Sequence, residues 1–345
     1  MNIQDSKSLQ ALLDHRPVIT IVPHTSPDGD AIGSTLGLYH FLKNQGHDVQ
    51  VIAPTDFPDF LKWMPAADQI LIYPNEESKA EQRIAASSLI FTLDFNNLLR
   101  AKPLTPLLEQ SGADFVMIDH HQQPDTYAKI TYSNDKASST CELIYKVITA
   151  LGSDEAINEE IATCLYTGIM TDTGGFRFSM TSPETHRIVA TLLEKGANCT
   201  EIASEVLDSY SIDRLLLLGH VLNDLIYLPQ HRTAYMYISS KTLKQFNFRK
   251  GDTEGFVNYG LRIKGAELAA IFIENEEDKL VKISFRSKTN LDVNLLARTY
   301  FNGGGHINAA GGSSHTSLED TVKYFLEVLP QFLSRPDAYH SNPIL

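Results

Sequence analysis

One short stretch, DFVMIDHH at 114–121, constrains this chain more than any other. Its apolar residues 115–118 make a run of the length of a buried strand. The run stops at Asp119, His120 and His121, and polar side chains at the tip of such a strand are costly unless something binds them. Two other apolar runs end alike. Residues 18–22 lead into His24 and HTSPDGDAIGS, which carries Asp28 and Asp30, and 88–93 (SLIFTL) ends at Asp94. A helical pattern over 31–44 stops at Gly46, and 49–53 returns as a strand. Strand, loop, helix, strand defines an α/β fold with a mostly parallel sheet and flanking helices. Further helices are predicted at 139–150, 155–170, 183–195 and 200–210, with a glycine-bearing turn, TDTGGFRFS, holding Asp172 and Arg177.

In open parallel sheets, ligands bind beyond the carboxyl ends of the strands. All three polar clusters therefore converge there, with Asp172 within reach from a helix end. Read singly, each residue has an ordinary explanation. Asp28 is a good helix N-cap, Asp94 a turn residue, His24 a strand-end histidine, and Asp172 a turn former. A calcium loop is excluded at Asp28-Gly29-Asp30 because Ile32 takes the next ligand position and a helix begins at once. Together, so many carboxylates repel one another and persist readily around cations. Mixed carboxylate and imidazole ligands suit Mn²⁺, Fe²⁺ or Zn²⁺ better than Ca²⁺. The donors are enough for two metals sharing a carboxylate.

The formal net charge of −13 argues against a surface for long duplex nucleic acid. Bound divalent cations would still supply local positive charge for a small anionic substrate. No apolar run is long enough to span a bilayer, and residues 1–17 lack the pattern of a secretory signal, so no membrane partner is expected. Cys141, Cys164 and Cys199 are odd in number and widely spaced, which predicts buried free thiols and a cytoplasmic setting.

The period changes in the second half. A helix and short strand over 212–228 look like a connector, followed by strands at 233–239, 266–273 and 280–286, a helix at 293–300, GGGHINAAGG, and a helix at 317–332. This predicts a catalytic domain over 1–195, a helical linker over 196–227, and a smaller α+β domain over 228–345. Arg286, after a strand, has the chemistry to pair bidentately with phosphate, and glycine-rich backbone lets an anion approach closely. Without a ligand, the same loop reads as a flexible turn.

His24-Thr-Ser-Pro-Asp28-Gly-Asp30, Asp94, Asp119-His120-His121 and Thr171-Asp172-Thr173-Gly174 resemble the four motifs of the DHH phosphoesterase superfamily. Gly303-Gly304-Gly305-His306, with Ala309-Ala310-Gly311 and Phe285-Arg286-Ser287-Lys288, resembles its companion DHHA1 domain. The resemblance implies two divalent metal ions, Mn²⁺ foremost. One is held by His24, Asp28 and Asp94, the other by Asp30, Asp94, His120 and Asp172, with Asp94 bridging. It implies that Asp119 orients the histidine pair, that His121 faces the substrate phosphate as a donor or acid, and that the active site lies in an interdomain cleft. Substrate contacts would come from Gly303, Gly304, Gly305, His306, Arg286 and Ser287, with Arg262 and Arg177 as weaker candidates. Chains of this length resemble the nanoRNase and 3′-phosphoadenosine-5′-phosphate phosphatase group. The implied substrates are short oligoribonucleotides, linear dinucleotides such as pApA, and the nucleotide bisphosphate. The alternatives are a cyclic-dinucleotide phosphodiesterase, an exopolyphosphatase-like hydrolase, or a non-catalytic nucleotide-binding module. Monomer and homodimer stay open.

Overall fold

The structure, a computed structural model, describes residues 3–339 except 153, 277 and 289. The chain forms two compact units that divide between Ser209 and Tyr210.

The first unit runs α1 (Ile3–Asp14), β1 (Val18–Val22), α2 (Gly29–Asn44), β2 (Asp48–Ala53), β3 (Leu71–Ile72), α3 (Glu77–Ala86), β4 (Leu89–Leu93), α4 (Thr105–Glu109), β5 (Asp114–Asp119), β6 (Ile130–Ser133), α5 (Thr140–Leu151), α6 (Glu159–Asp172), α7 (Pro183–Glu194) and α8 (Cys199–Leu207). Its sheet has the order β3-β2-β1-β4-β5-β6, with every pairing parallel. Successive side chains on a strand point to opposite faces, and the core divides accordingly. Leu89, Phe91 and Leu93 pack with residues of α2, α5 and α6, whereas Ile90 packs with Ala80, Ile84 and Leu108 of α3 and α4. Both faces are covered, which is why the central strands read as unbroken apolar runs. β3 and β6 escaped the sequence reading: one has only two residues, and the other, ITYS, is half polar. The helix expected from 155 begins at Glu159, capped by the Asn158 side chain.

α2 is buried almost all round. It crosses α6 where side chains are missing: a Cβ on Gly33 would lie 2.6 Å from the Cys164 carbonyl oxygen, and one on Gly168 3.2 Å from the Asp30 Cα. This close approach sets Asp30, in the first turn of α2, inside the unit. Cys141 and Cys164 are buried free thiols as expected. Cys199 is exposed, because it opens α8 at the surface.

The second unit runs α9 (Ile212–Asn223), β7 (Ile226–Leu228), β8 (Thr233–Ile238), α10 (Ser240–Gln245), α11 (Val257–Gly260), β9 (Leu268–Asn275), β10 (Leu280–Ser287), α12 (Val293–Tyr300), β11 (Gly304–His306), β12 (Ala309–Ser314) and α13 (Leu318–Leu333). The sheet order is β11-β12-β10-β9-β8-β7, antiparallel except for β8 with β9. On one face Phe272, Phe285, Phe301 and Phe325 form an aromatic cluster. The segment expected to act as a connector packs here as part of the fold. Leu217 and Val221 of α9 join Met236, Phe256 and Ile271 in a core, and Arg214 donates to the carbonyls of Gly251 and Glu254, each at 2.8 Å. No helix among the described residues is long and apolar enough to cross a membrane.

Candidate metal centre

The strand order of the first sheet reverses between β1 and β4, the position at which open α/β sheets bind ligands. His24 lies just past β1. Asp28 caps α2, its Oδ1 accepting from the Asp30 and Ala31 amides at 3.1 Å each. The ordinary cap reading is thus correct, and the carboxylate still faces the cluster. Asp94 follows β4 at φ 65°, in the left-handed region that few residues other than glycine adopt. Its amide donates to the Ile118 carbonyl at 3.1 Å, so the turn stays tied to β5. Asp119 ends β5, with His120 and His121 next, and Asp172 is the last residue of α6. His24, Asp30, Asp94, Asp119, His120 and His121 are all buried.

Hydrogen bonds fix what each ring presents. His24 Nδ1 lies 2.9 Å from the Thr25 carbonyl oxygen and His120 Nδ1 3.2 Å from that of Ala137. A neutral ring that donates through Nδ1 keeps its lone pair on Nε2. His24 Nε2 then faces Asp94 Oδ2 at 3.3 Å and Asp28 Oδ1 at 3.9 Å. His120 Nε2 faces Asp94 Oδ1 and Asp172 Oδ2, each at 3.5 Å, and Asp30 Oδ2 at 3.7 Å. The two oxygens of Asp94 therefore belong to different groups of donors. Within the sets His24–Asp28–Asp94 and Asp30–His120–Asp172, donor atoms all lie within 4.8 Å of one another, as they do for Asp94, Asp119 and His121.

Burial, with Asp30 and Asp28 nearby, pushes the Asp94 carboxyl well above its usual range. Burial also raises Asp30 and lowers His24. His121 is held well below its usual value by burial and by the positive charges of Arg100 and His120. Burial opposes a proton on His120 too, but Asp172, Asp94 and Asp30 outweigh it and push that histidine up to about 9. A proton on one imidazole thus carries the compensation for several carboxylates. With that proton displaced, the oxygen and imidazole donors fit a divalent cation of the Mn²⁺, Fe²⁺ or Zn²⁺ type.

The two histidines are anchored through different Nδ1 contacts. Asp119 Oδ1 lies 2.7 Å from His121 Nδ1, whereas His120 is held by the Ala137 carbonyl. With Nδ1 donating to Asp119, neutral His121 presents Nε2 as an acceptor; an acid role requires a further proton there. Sequence reasoning missed Thr140. Its amide donates to Asp30 Oδ2 at 2.6 Å, the Cys141 amide donates to Asp30 Oδ1 at 2.8 Å, and its hydroxyl donates to Asp94 Oδ1 at 2.9 Å. The start of α5 thus offers its otherwise unsatisfied amides to a buried carboxylate. The available signal was the capping pattern Ser139-Thr140-Cys141-Glu142; Ser139 Oγ accepts from the Glu142 amide at 3.0 Å.

The other residues singled out have diverse surroundings. Arg177 is exposed and folds back on the Gly174 carbonyl at 2.6 Å. In the second unit, Arg262 is exposed and lies over the Tyr259 ring. Arg286 is half-buried on β10, with Nη1 donating to its neighbour's carbonyl at 3.0 Å. Ser287 is buried, its hydroxyl donating to the Leu291 carbonyl at 2.6 Å and accepting from Asn308 at 2.9 Å, so it braces a turn. The GGGH stretch, expected as a loop, is largely strand: Gly304–His306 pairs antiparallel with Ala309–Gly311.

The DHH family N-terminal domain matches residues 18–169, and the DHHA1 domain matches 232–335. A solved structure of an exopolyphosphatase-related protein from Bacteroides fragilis is 40% identical, with a TM-score of 0.89 over 95% of this chain and 96% of that one. The bifunctional oligoribonuclease and PAP phosphatase NrnA of Thermus thermophilus is 29% identical, covering 92% of this chain and 90% of the relative. Its Bacillus subtilis counterpart of the same description is 27% identical over 89% and 92%. The chain belongs to the DHH family of phosphoesterases, with a DHHA1 domain following the DHH domain.

Proposed function

We propose that the chain hydrolyses short oligoribonucleotides or linear dinucleotides such as pApA to mononucleotides, with 3′-phosphoadenosine-5′-phosphate phosphatase activity at the same site. The observation that carries this reading is the division of the donors around Asp94, whose two oxygens face His24 and His120 at 3.3 and 3.5 Å. Two Mn²⁺ ions are the proposed cofactors, one with His24, Asp28 and Asp94, the other with Asp30, Asp94, His120 and Asp172. Bound there, a cation pair supplies an activated water at neutral pH and charge stabilisation for the phosphoryl oxygens. The chain's own groups do the rest. Thr140 and the α5 amides hold Asp30 and Asp94 in place, a supporting role that metal sites depend on. Asp119 fixes the His121 ring so that Nε2 addresses the substrate. In the second unit, Arg286, His306 and the adjoining glycines are assigned the nucleotide portion. The names of the relatives from Thermus thermophilus and Bacillus subtilis support the substrate class.

The test is a substrate panel in Mn²⁺: RNAs of graded length, pApA, adenosine bisphosphate, a cyclic dinucleotide, pyrophosphate and polyphosphate. Turnover is expected to be fastest on the dinucleotide and the shortest RNAs. Preference for the cyclic dinucleotide or polyphosphate would replace the proposed substrate, and binding without turnover of any compound would overturn the hydrolase reading.

A further inference from the structure

Among the described residues of the first unit, one cation stands beside the carboxylate-rich centre without a partner. Arg100 is half-buried, and its guanidinium makes no ion pair or hydrogen bond among the described residues. A half-buried guanidinium normally finds an anion, because its five donors lose water without compensation otherwise. The backbone puts it next to the site. The Thr25 amide, one residue past His24, donates to the Arg100 carbonyl at 2.7 Å, and the Arg100 amide donates to the Asn97 carbonyl at 3.0 Å. Asn97 in turn donates to Asp125 at 2.8 Å, Asn96 donates to the Gln122 carbonyl at 2.6 Å, and Thr105 donates to the Leu98 carbonyl at 2.7 Å. The segment between Asp94 and α4 is therefore bonded to the strand ends that carry both histidines. The positive charge of Arg100 is felt by His24 and by His121.

We infer that Arg100 is a substrate-contacting residue that takes a non-bridging phosphate oxygen of the nucleotide at the metal centre. The inference rests on the phosphoester reading above and adds a residue to it. A phosphate approaching so many carboxylates needs positive charge beyond the cations, and a fork-shaped guanidinium suits two phosphate oxygens at once. Because no carboxylate among the described residues pairs with it, no ion pair among them must be broken for it to bind. Its position on a braced turn limits the entropy lost on contact.

The experiment is calorimetric titration of AMP into the Mn²⁺-loaded full chain, for wild type, Arg100→Ala and Arg100→Lys, with Mn²⁺ binding measured separately without AMP. Arg100→Ala is expected to weaken AMP tenfold or more and Arg100→Lys by less, with Mn²⁺ affinity within twofold of wild type. Wild-type AMP affinity in Arg100→Ala overturns the inference. So does a loss of Mn²⁺ affinity in proportion to the loss of AMP, which would make the residue a support of the centre. KM for pApA is read in parallel. Arg100-dependent AMP binding in a protein that hydrolyses none of the panel would retain the inference and reject the hydrolase reading. Full hydrolysis with unchanged KM in Arg100→Ala would do the reverse.

Discussion

At the carboxyl edge of the first sheet, the motif residues turn polar atoms toward one another: His24, Asp30, Asp94 and His120 are buried with Nε2-to-carboxylate distances of 3.3–3.7 Å. In the hairpin of the second unit, the motif glycines are notable for what they lack. A Cβ on Gly303 would fall 1.9 Å from the Gly311 carbonyl oxygen, and one on Gly305, at φ 147°, would fall 2.5 Å from that of Ala309. One region keeps its residues for chemistry that burial makes unfavourable without a ligand. The other has glycines where two strands touch. A motif residue can therefore be obligatory for either reason, and only its surroundings tell which.

That contrast is easiest to break at Asp94. Asp94→Ala removes the carboxylate shared by both donor groups and is expected to lower kcat on pApA by about a thousandfold or more, the equivalent of several kcal/mol of charge stabilisation. Circular dichroism should show the fold retained. Gly303→Ala is expected to act oppositely. It should cost about 3 kcal/mol of stability in chemical denaturation through overpacking, while Mn²⁺ binding in the first unit stays within twofold. Equal loss of Mn²⁺ affinity in both variants would erase the distinction.

Thr140→Val sharpens the account of the first region, because it deletes one hydroxyl while leaving the α5 amides on Asp30. Mn²⁺ affinity is expected to fall by roughly ten- to a hundredfold, the usual effect of losing a supporting hydrogen bond. The smallest effect concerns protons. His120 sits at about 9, above its ordinary value, because Asp172, Asp94 and Asp30 outweigh the opposing effect of burial. It therefore carries a proton at pH 7, which a cation must displace. Apparent Mn²⁺ affinity should rise with pH up to about tenfold per unit until pH passes that value, then level off. Titrations in buffers of different ionisation enthalpy should detect the released proton.

The same contrast explains what the sequence made legible. β1, β4 and β5 announced themselves because strands covered on both faces are continuous apolar runs, and their ends located His24, Asp94 and Asp119. Asp30 was legible as a polar residue at a strand-to-helix turn. Thr140 was not, because half of its contribution is a backbone amide and its partners lie more than forty residues away in the chain. Arg100 was missed for a related reason: no local pattern marks a guanidinium placed by the hydrogen bond of its own carbonyl to Thr25. β3 was too short to register. The 212–228 segment looked like a connector because its packing partners, Met236, Phe256 and Ile271, come later in the chain. The glycines of 303–305 read as a loop because sequence alone does not distinguish flexibility from close approach.

The most direct measurement is Mn²⁺ stoichiometry by equilibrium dialysis on wild type and Asp94→Ala, with pApA turnover followed on the same samples. Two ions per wild-type chain, one or none in the variant, and turnover lost with the second ion is the result predicted. Unchanged stoichiometry in Asp94→Ala, or full turnover by wild type with no bound divalent ion, would contradict it.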